Sequence, residues 1–313
     1  LSRIKKIQIA DERIYLWDMG AGIVCYDMSG ELLFQLNARG QGPGEYTDIN
    51  AFAVNASLHQ LVIYDNMKQS LMFYSTEDGR FVKSEKFNKP TPAEIAYWGG
   101  YFFYHNRLHR NYQDDVSLHY YLLASKDGIT IGKRYFKHEN NKEDYPFSPS
   151  GHNLYDNNSK LYYCRDFDNI VYQIHEDSVV PRFRINLPNP LPASMIEERP
   201  NEMSLLRSGY SLGITDIYEY GGLLFFRFVK DGYIWSCLYN VEESKQVYCA
   251  KRIKFLDSSL IDTIDGIYKD CFYSILTPEY LDYAFSENPL EDYPDLFKTY
   301  DVEGDNPVIA FYL

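Results

Sequence analysis

Long apolar runs are missing from these 313 residues: no stretch of about 18 apolar residues occurs, so no transmembrane helix is expected. Also missing are a Walker loop, a GxGxxG ahead of a helix and an HExxH pair, which removes the usual signatures of nucleotide binding and zinc hydrolysis. Cysteine is sparse and scattered (Cys25, Cys164, Cys237, Cys249, Cys271), with no CxxC and no metal-ligand spacing. Most of these thiols are expected to pack as small buried hydrophobes, and Cys237 with Cys249 is the best disulfide candidate. Basic residues are outnumbered, 31 against 44 acidic, for a formal net charge of −13. A phosphate backbone would be repelled, so no nucleic-acid partner is expected. The densest basic stretch, HNRLHR at 105–110, is followed by Asp114 and Asp115, and His105 and His109 within it are read as loop residues, not metal ligands. No EF-hand or repeated Asp-rich motif is present, and neither a metal nor a cofactor is assigned.

What is abundant is aromatic: 30 tyrosines and 19 phenylalanines, many in short runs such as YFFY, LYYC and LLFFRF. Such runs favour strands. Residues 4–37 and 49–87 repeat one phrase: a strand, a turn, a second strand ending in Asp (Asp18, Asp65), a loop, a third strand ending in Tyr (Tyr26, Tyr74), a turn closing on Gly (Gly30, Gly79), and a fourth strand. In DMSG and TEDG the acid can bond the turn backbone while the glycine takes a positive φ. Each unit is therefore an antiparallel meander. Weaker copies follow, giving six blades at about 4–37, 49–87, 93–136, 151–187, 212–255 and 259–313 in a single domain. A meander recurring every 40–50 residues is the mark of a β-propeller, here all-β with six blades. Insertions at 188–211 and 278–305, the second partly helical, account for the long average repeat. A two-sheet sandwich would not require one phrase to recur.

IYLWD, then YDxxG, then RGQGPGEY leading into the next inner strand resembles the NHL-related six-bladed propellers of secreted or lipid-anchored Bacteroides-type proteins. The likeness is close over 4–87 and architectural beyond; the second repeat has FNKPTPAEI where the glycine-rich phrase would recur. The resemblance implies a propeller exported across the inner membrane, periplasmic or anchored to the outer membrane. No signal peptide is visible, and the opening at Leu1 directly into a strand pattern leads to the expectation that a targeting segment has been removed.

RGQGPGEY at 39–46 lies between the fourth strand of one unit and the first of the next, has no P-loop lysine and runs into a strand, so it reads as a chain reversal. Because propeller strands alternate in direction, links from strand four to strand one emerge on the same face as links from strand two to strand three. That face collects RGQGPGEY, HNRLHRNYQDD, RDFDN and both insertions, and on it the candidate ligand-binding residues are Arg39, Gln41, Glu45, Tyr46, Arg107, His109, Arg165, Asp166, Arg207 and Tyr210. Planar donors, carboxylates and aromatic rings on a rigid scaffold suit a saccharide or a peptide. The expected role is non-catalytic recognition at the cell envelope, with no catalytic residue assigned. The rival readings are a glycan-processing lyase or hydrolase using carboxylates in the central basin, and a scaffold for another envelope protein.

Overall fold

Each run of β-branched and aromatic residues pairs with its neighbour in sequence, so every sheet is an antiparallel meander. The computed structural model describes residues 3–87, 91–107, 119–138, 145, 147–149, 151–251, 264–287, 297, 299–301, 304 and 306–312. The first sheet is β1 (Ile4–Ala10), β2 (Arg13–Asp18), β3 (Gly22–Asp27) and β4 (Leu32–Leu36). The second is β5 (Ile49–Asn55), β6 (Gln60–Asp65), β7 (Ser70–Ser75) and β8 (Phe81–Lys86), and the third is β9 (Pro92–Trp98), β10 (Tyr101–Asn106), β11 (Tyr120–Ser125) and β12 (Lys133–Lys137). The fourth is β13 (Leu154–Asn157), β14 (Lys160–Tyr163), β15 (Ile170–Ile174) and β16 (Val179–Arg184). The fifth is β17 (Ser211–Tyr220), β18 (Leu223–Lys230), β19 (Tyr233–Asn240) and β20 (Lys245–Ala250). The last has three strands among the described residues, β21 (Gly266–Tyr268), β22 (Cys271–Leu276) and β23 (Val308–Tyr312). These are the blades of a six-bladed β-propeller.

The chain forms two compact units, Leu1–Pro146 with His175–Val179, and Phe147–Ile174 with Val180–Leu313. Burial explains the grading within each blade. The second and third strands, such as QLVIYD and SLMFYS, are buried almost throughout because both of their faces pack, whereas the outer FVKSEK is nearly all exposed. In the first unit, one core sets Tyr15, Phe34 and Tyr46 against Phe52 and Met72, and a second sets Tyr64 and Phe73 against Phe102 and Tyr104. In the second unit, Tyr155 and Tyr162 pack with Ile214, Phe225 and Phe272.

Inner strands leave one backbone edge without a ladder partner, and side chains from inner strands earlier in the chain bond to it on β5, β9 and β17. Lys6 Nζ donates to Phe52 O (3.1 Å) and Ile95 O (3.0 Å), Val54 N donates to Gln8 Oε1 (3.1 Å), and Asn50 Nδ2 donates to Pro92 O (2.6 Å). In the second unit Asn157, buried, donates to Ile217 O (3.0 Å) and accepts from Glu219 N (2.6 Å).

Three features depart from expectation or extend it. Cys237 and Cys249 face each other across β19 and β20 and are joined as a disulfide, while Cys25 and Cys164 are the buried free thiols expected of small hydrophobes. Burial pushes the Cys25 thiol up to about 11, so it stays protonated. His105 lies inside β10 and is buried, not in a loop, because the apolar run continues through it; His109 lies outside the described residues. The insertion after β16 holds α1 (Ala193–Glu197) and α2 (Glu202–Leu206), and that after β22 holds α3 (Pro278–Glu287), whose Leu281 and Ala284 pack on Leu276 and Phe297.

Truncating Asn157 to alanine strands two backbone groups and is expected to cost about 2–4 kcal/mol, against less than about 0.5 kcal/mol for Ser159→Ala at the adjacent exposed turn. Denaturant unfolding of the two variants checks this, and equal midpoints would remove the edge-covering role.

Candidate ligand-binding edge

In each unit the links after the second and fourth strands leave from the same strand ends. Local acids build this edge. Asp18, at the end of β2 and fully buried, accepts from Gly20 N (2.9 Å) and Ala21 N (2.7 Å) through Oδ1 and from Arg3 N (2.7 Å) through Oδ2. Asp65, in the equivalent place on β6, accepts from Lys68 N (2.9 Å) and Thr47 N. Each carboxylate thus ties a turn to the segment entering the blade, which is why the repeat carries Asp there.

RGQGPGEY is strung between these two turns. The Arg39 guanidinium donates to Met19 O on one side, and the Lys68 ammonium donates to Gly42 O and Glu45 O on the other. Glu45 folds back on its own loop, accepting from Gly42 N (2.7 Å), and its carboxylate occupies the space a side chain at Gly40 would need. The stretch is a braced reversal and not a phosphate cradle. Tyr46 is fully buried with its hydroxyl directed at Leu36 O (3.3 Å), while Arg39 and Gln41 are exposed. Met19 (46 % exposed) and Met67 (70 %) stand on the two flanking turns. The first unit therefore presents one strip, Met19, Arg39, Gln41 and Met67. Arg107 follows β10 and is half-buried.

The second unit gathers the remaining candidates. Arg165 pairs with Asp168 inside the RDFDN turn (Nη2 to Oδ2, 2.7 Å), and Asp166 accepts from Ser148 Oγ (2.6 Å) and Asn153 Nδ2 (3.2 Å). This turn lies against the strand that follows the helical insertion: Ile214 N donates to Asp168 O (3.0 Å), and Gly213, at φ +100°, leaves no room for a Cβ beside Phe167. Arg207, exposed, and Tyr210, half-buried, occupy the segment just ahead of that strand. Asp231 lies in the turn between β18 and β19, and Tyr233 and Ile234, which begin β19, are more than half exposed.

A family model described as "Domain of unknown function (DUF4934)" matches residues 1–313. The chain belongs to the DUF4934 family. No curated protein matches it. Among solved structures, this DUF4934 chain is similar to a "Putative exported protein" from Bacteroides fragilis, with a TM-score of 0.78 at 16 % identity, covering 97 % of this chain and 88 % of that one. It also aligns with a member of the DUF4221 family from Bacteroides vulgatus, with a TM-score of 0.48 at 12 % identity, covering 80 % and 81 %. The first likeness is one of fold.

Sequence reasoning missed the charged groups deeper in the DUF4934 chain's second unit. Arg227 on β18 bonds Asp216 on β17 (3.0 Å) and faces Asp265 (3.9 Å), which accepts from Ile275 N (2.8 Å). Burial works to raise the Asp216 carboxyl, but Arg227 outweighs it and holds the group below the ordinary carboxylate range. Glu219 is likewise held low: burial opposes, and bonds from Lys160 (2.8 Å), the Tyr162 hydroxyl and Arg182 (2.9 Å) prevail. An ionised acid sharing an arginine is a poor proton donor to a glycosidic oxygen. The spacing of these residues along the chain, 11 between Asp216 and Arg227, carries no motif; only strand register brings them together.

Both Asp216 and Glu219 have lower pKa values folded than unfolded. Their stabilisation is fully present above the unfolded value, near 4, and is lost as pH falls through the folded one. Thermal melts followed by circular dichroism should show the midpoint falling between about pH 4.5 and pH 2.5, with a shallower slope in Asp216→Asn and Glu219→Gln. Unchanged slopes in both variants would rule out this account.

Proposed function

We propose that this DUF4934 chain is a non-catalytic recognition propeller of the bacterial cell envelope, with residues 1–313 acting as one domain, and that it binds a peptide on its loop-bearing edge. The observation that carries the reading is the strip on the first unit, in which two exposed methionines on successive turns flank the planar donors Arg39 and Gln41. Methionine surfaces adapt to varied apolar side chains, and planar donors suit backbone carbonyls and carboxylates. A saccharide would be better served by aromatic platforms, and on this strip Tyr46 is inside the core. Arg207, Tyr210, Tyr233 and Ile234 supply a similar mixture on the second unit.

Two observations support recognition over catalysis. The acids near the edge, Asp18, Glu45, Asp65, Asp166 and Asp168, all hold backbone or side-chain donors, and Asp216 shares Arg227 with Asp265. An envelope location accords with the Cys237–Cys249 disulfide, since such bonds persist in oxidising compartments, and with the fold shared with the Bacteroides fragilis protein. Kinship with NHL-type propellers and a lipid anchor belong to the same proposal.

Peptide and glycan arrays probed with the full chain test it, with Arg39→Ala/Gln41→Ala and Met19→Ala/Met67→Ala as comparison proteins. Peptide signals should weaken by about tenfold or more in each double variant, as loss of two contact residues predicts. Signals equal in parent and both variants would discard the strip as the site.

A further inference from the structure

The opposite strand ends of the second unit also carry a cavity, and the loop-bearing edge plays no part in it. Three first-to-second-strand hairpins surround about 550 Å³. Each is a two-residue turn, closed by Asn157↔Lys160, Tyr220↔Leu223 and Tyr268↔Cys271. The hairpins are tied to one another: Asn158 Nδ2 donates to Lys269 O, and Lys160 of the first hairpin is paired with Glu219 at the base of the second. Such turns are stiff, so the cavity is formed in advance of any ligand, and its size is within the range of about 300–1,000 Å³ common for small-molecule sites.

Its chemistry is polar without net charge. Two ammonium groups, Lys160 and Lys269, are balanced by two carboxylates, Glu219 and Asp270. Glu219 is already saturated by Lys160, Arg182 and Tyr162, which leaves no unmet negative charge at the floor. Asp270 lies beside the Tyr220 hydroxyl. Tyr220 and Tyr268 are half-exposed rings in the wall, and Lys269 Nζ sits 5.3 Å from the centre of the Tyr268 ring. Apolar ring faces next to hydrogen-bonding groups of both kinds, with charges cancelled, match a hydroxyl-rich neutral ring.

We propose that this hairpin-edge cavity is a binding site for a neutral saccharide of one or two rings, separate from the peptide strip. Binding is the whole of its action: the buried acid is held ionised by three donors and has no proton to give.

Isothermal titration calorimetry of the full chain with glucose, N-acetylglucosamine, cellobiose and chitobiose tests this, with glycine and inorganic phosphate as zwitterionic and anionic controls. At least one neutral sugar should bind, and its affinity should fall tenfold or more in Tyr268→Ala and in the exposed Asp270→Ala, whose fold is checked by circular dichroism. The Arg39→Ala/Gln41→Ala protein should bind the sugar as the parent does, which separates this site from the loop-bearing edge. Absence of sugar binding, sugar binding indifferent to both cavity variants, or binding confined to glycine or phosphate would each overturn the proposal.

Discussion

Every inner strand of this propeller ends its sheet, and a sheet that ends has a row of unpaired backbone donors and acceptors. For β5, β9 and β17 the constraint is met by side chains reaching from inner strands earlier in the chain. Lys6 bonds carbonyls on both β5 and β9, and Asn50 continues the series to β9. Asn157 both donates to and accepts from β17 in the second unit. A buried amide offers donor and acceptor together, so one asparagine satisfies two groups of the facing backbone. With these edges covered, the sheets pack by aromatic and aliphatic faces.

The same economy of polar groups shapes the loop-bearing edge. The aspartates that close β2 and β6 look in sequence like surface charge, yet they are fully buried and spent on backbone N–H groups. A carboxylate accepts several such bonds at once, which holds two chain segments at a fixed separation. Outward on that edge stand methionines, Arg39 and Gln41 in the first unit, and Asp231, Tyr233 and Ile234 in the second. Asp18 and Asp65 are used internally, and the strip on the first unit is left with neutral and cationic groups, even in a chain with a net charge of −13.

The two proposed sites differ in how they are built. The loop-bearing strip consists of flexible side chains on braced turns, which suits partners of variable shape. The hairpin cavity has walls of two-residue turns, where backbone geometry is set by the ladders on either side, and suits a small rigid ligand. In the cavity the buried Glu219 is already paired by Lys160 and Arg182, whereas on the strip Arg39 bonds a backbone carbonyl and brings a positive charge to the surface.

The recurring meander, its six copies, the turn residues and the two insertions were legible in the amino-acid sequence, because strand runs and turn chemistry are local and each repeat restates them. RGQGPGEY was readable as a reversal for the same reason: its glycines and the absence of a lysine are local facts. Residue roles at the edge were not. Tyr46 read as a ligand-binding candidate and Asp18 only as the end of a strand, whereas packing buries the Tyr46 ring and three hydrogen bonds occupy the Asp18 carboxylate. The pairing of Arg227 with Asp216 and Asp265, the oxidation of Cys237 with Cys249 from among several spacings, and the cavity between three hairpins all depend on strand register and on which blades adjoin. The first and second of these rest on pairing between adjacent strands, 11 and 12 positions apart for Asp216–Arg227 and Cys237–Cys249, while the contacts to Asp265 and the cavity join residues far apart in sequence that only the packing of sheets against one another brings close.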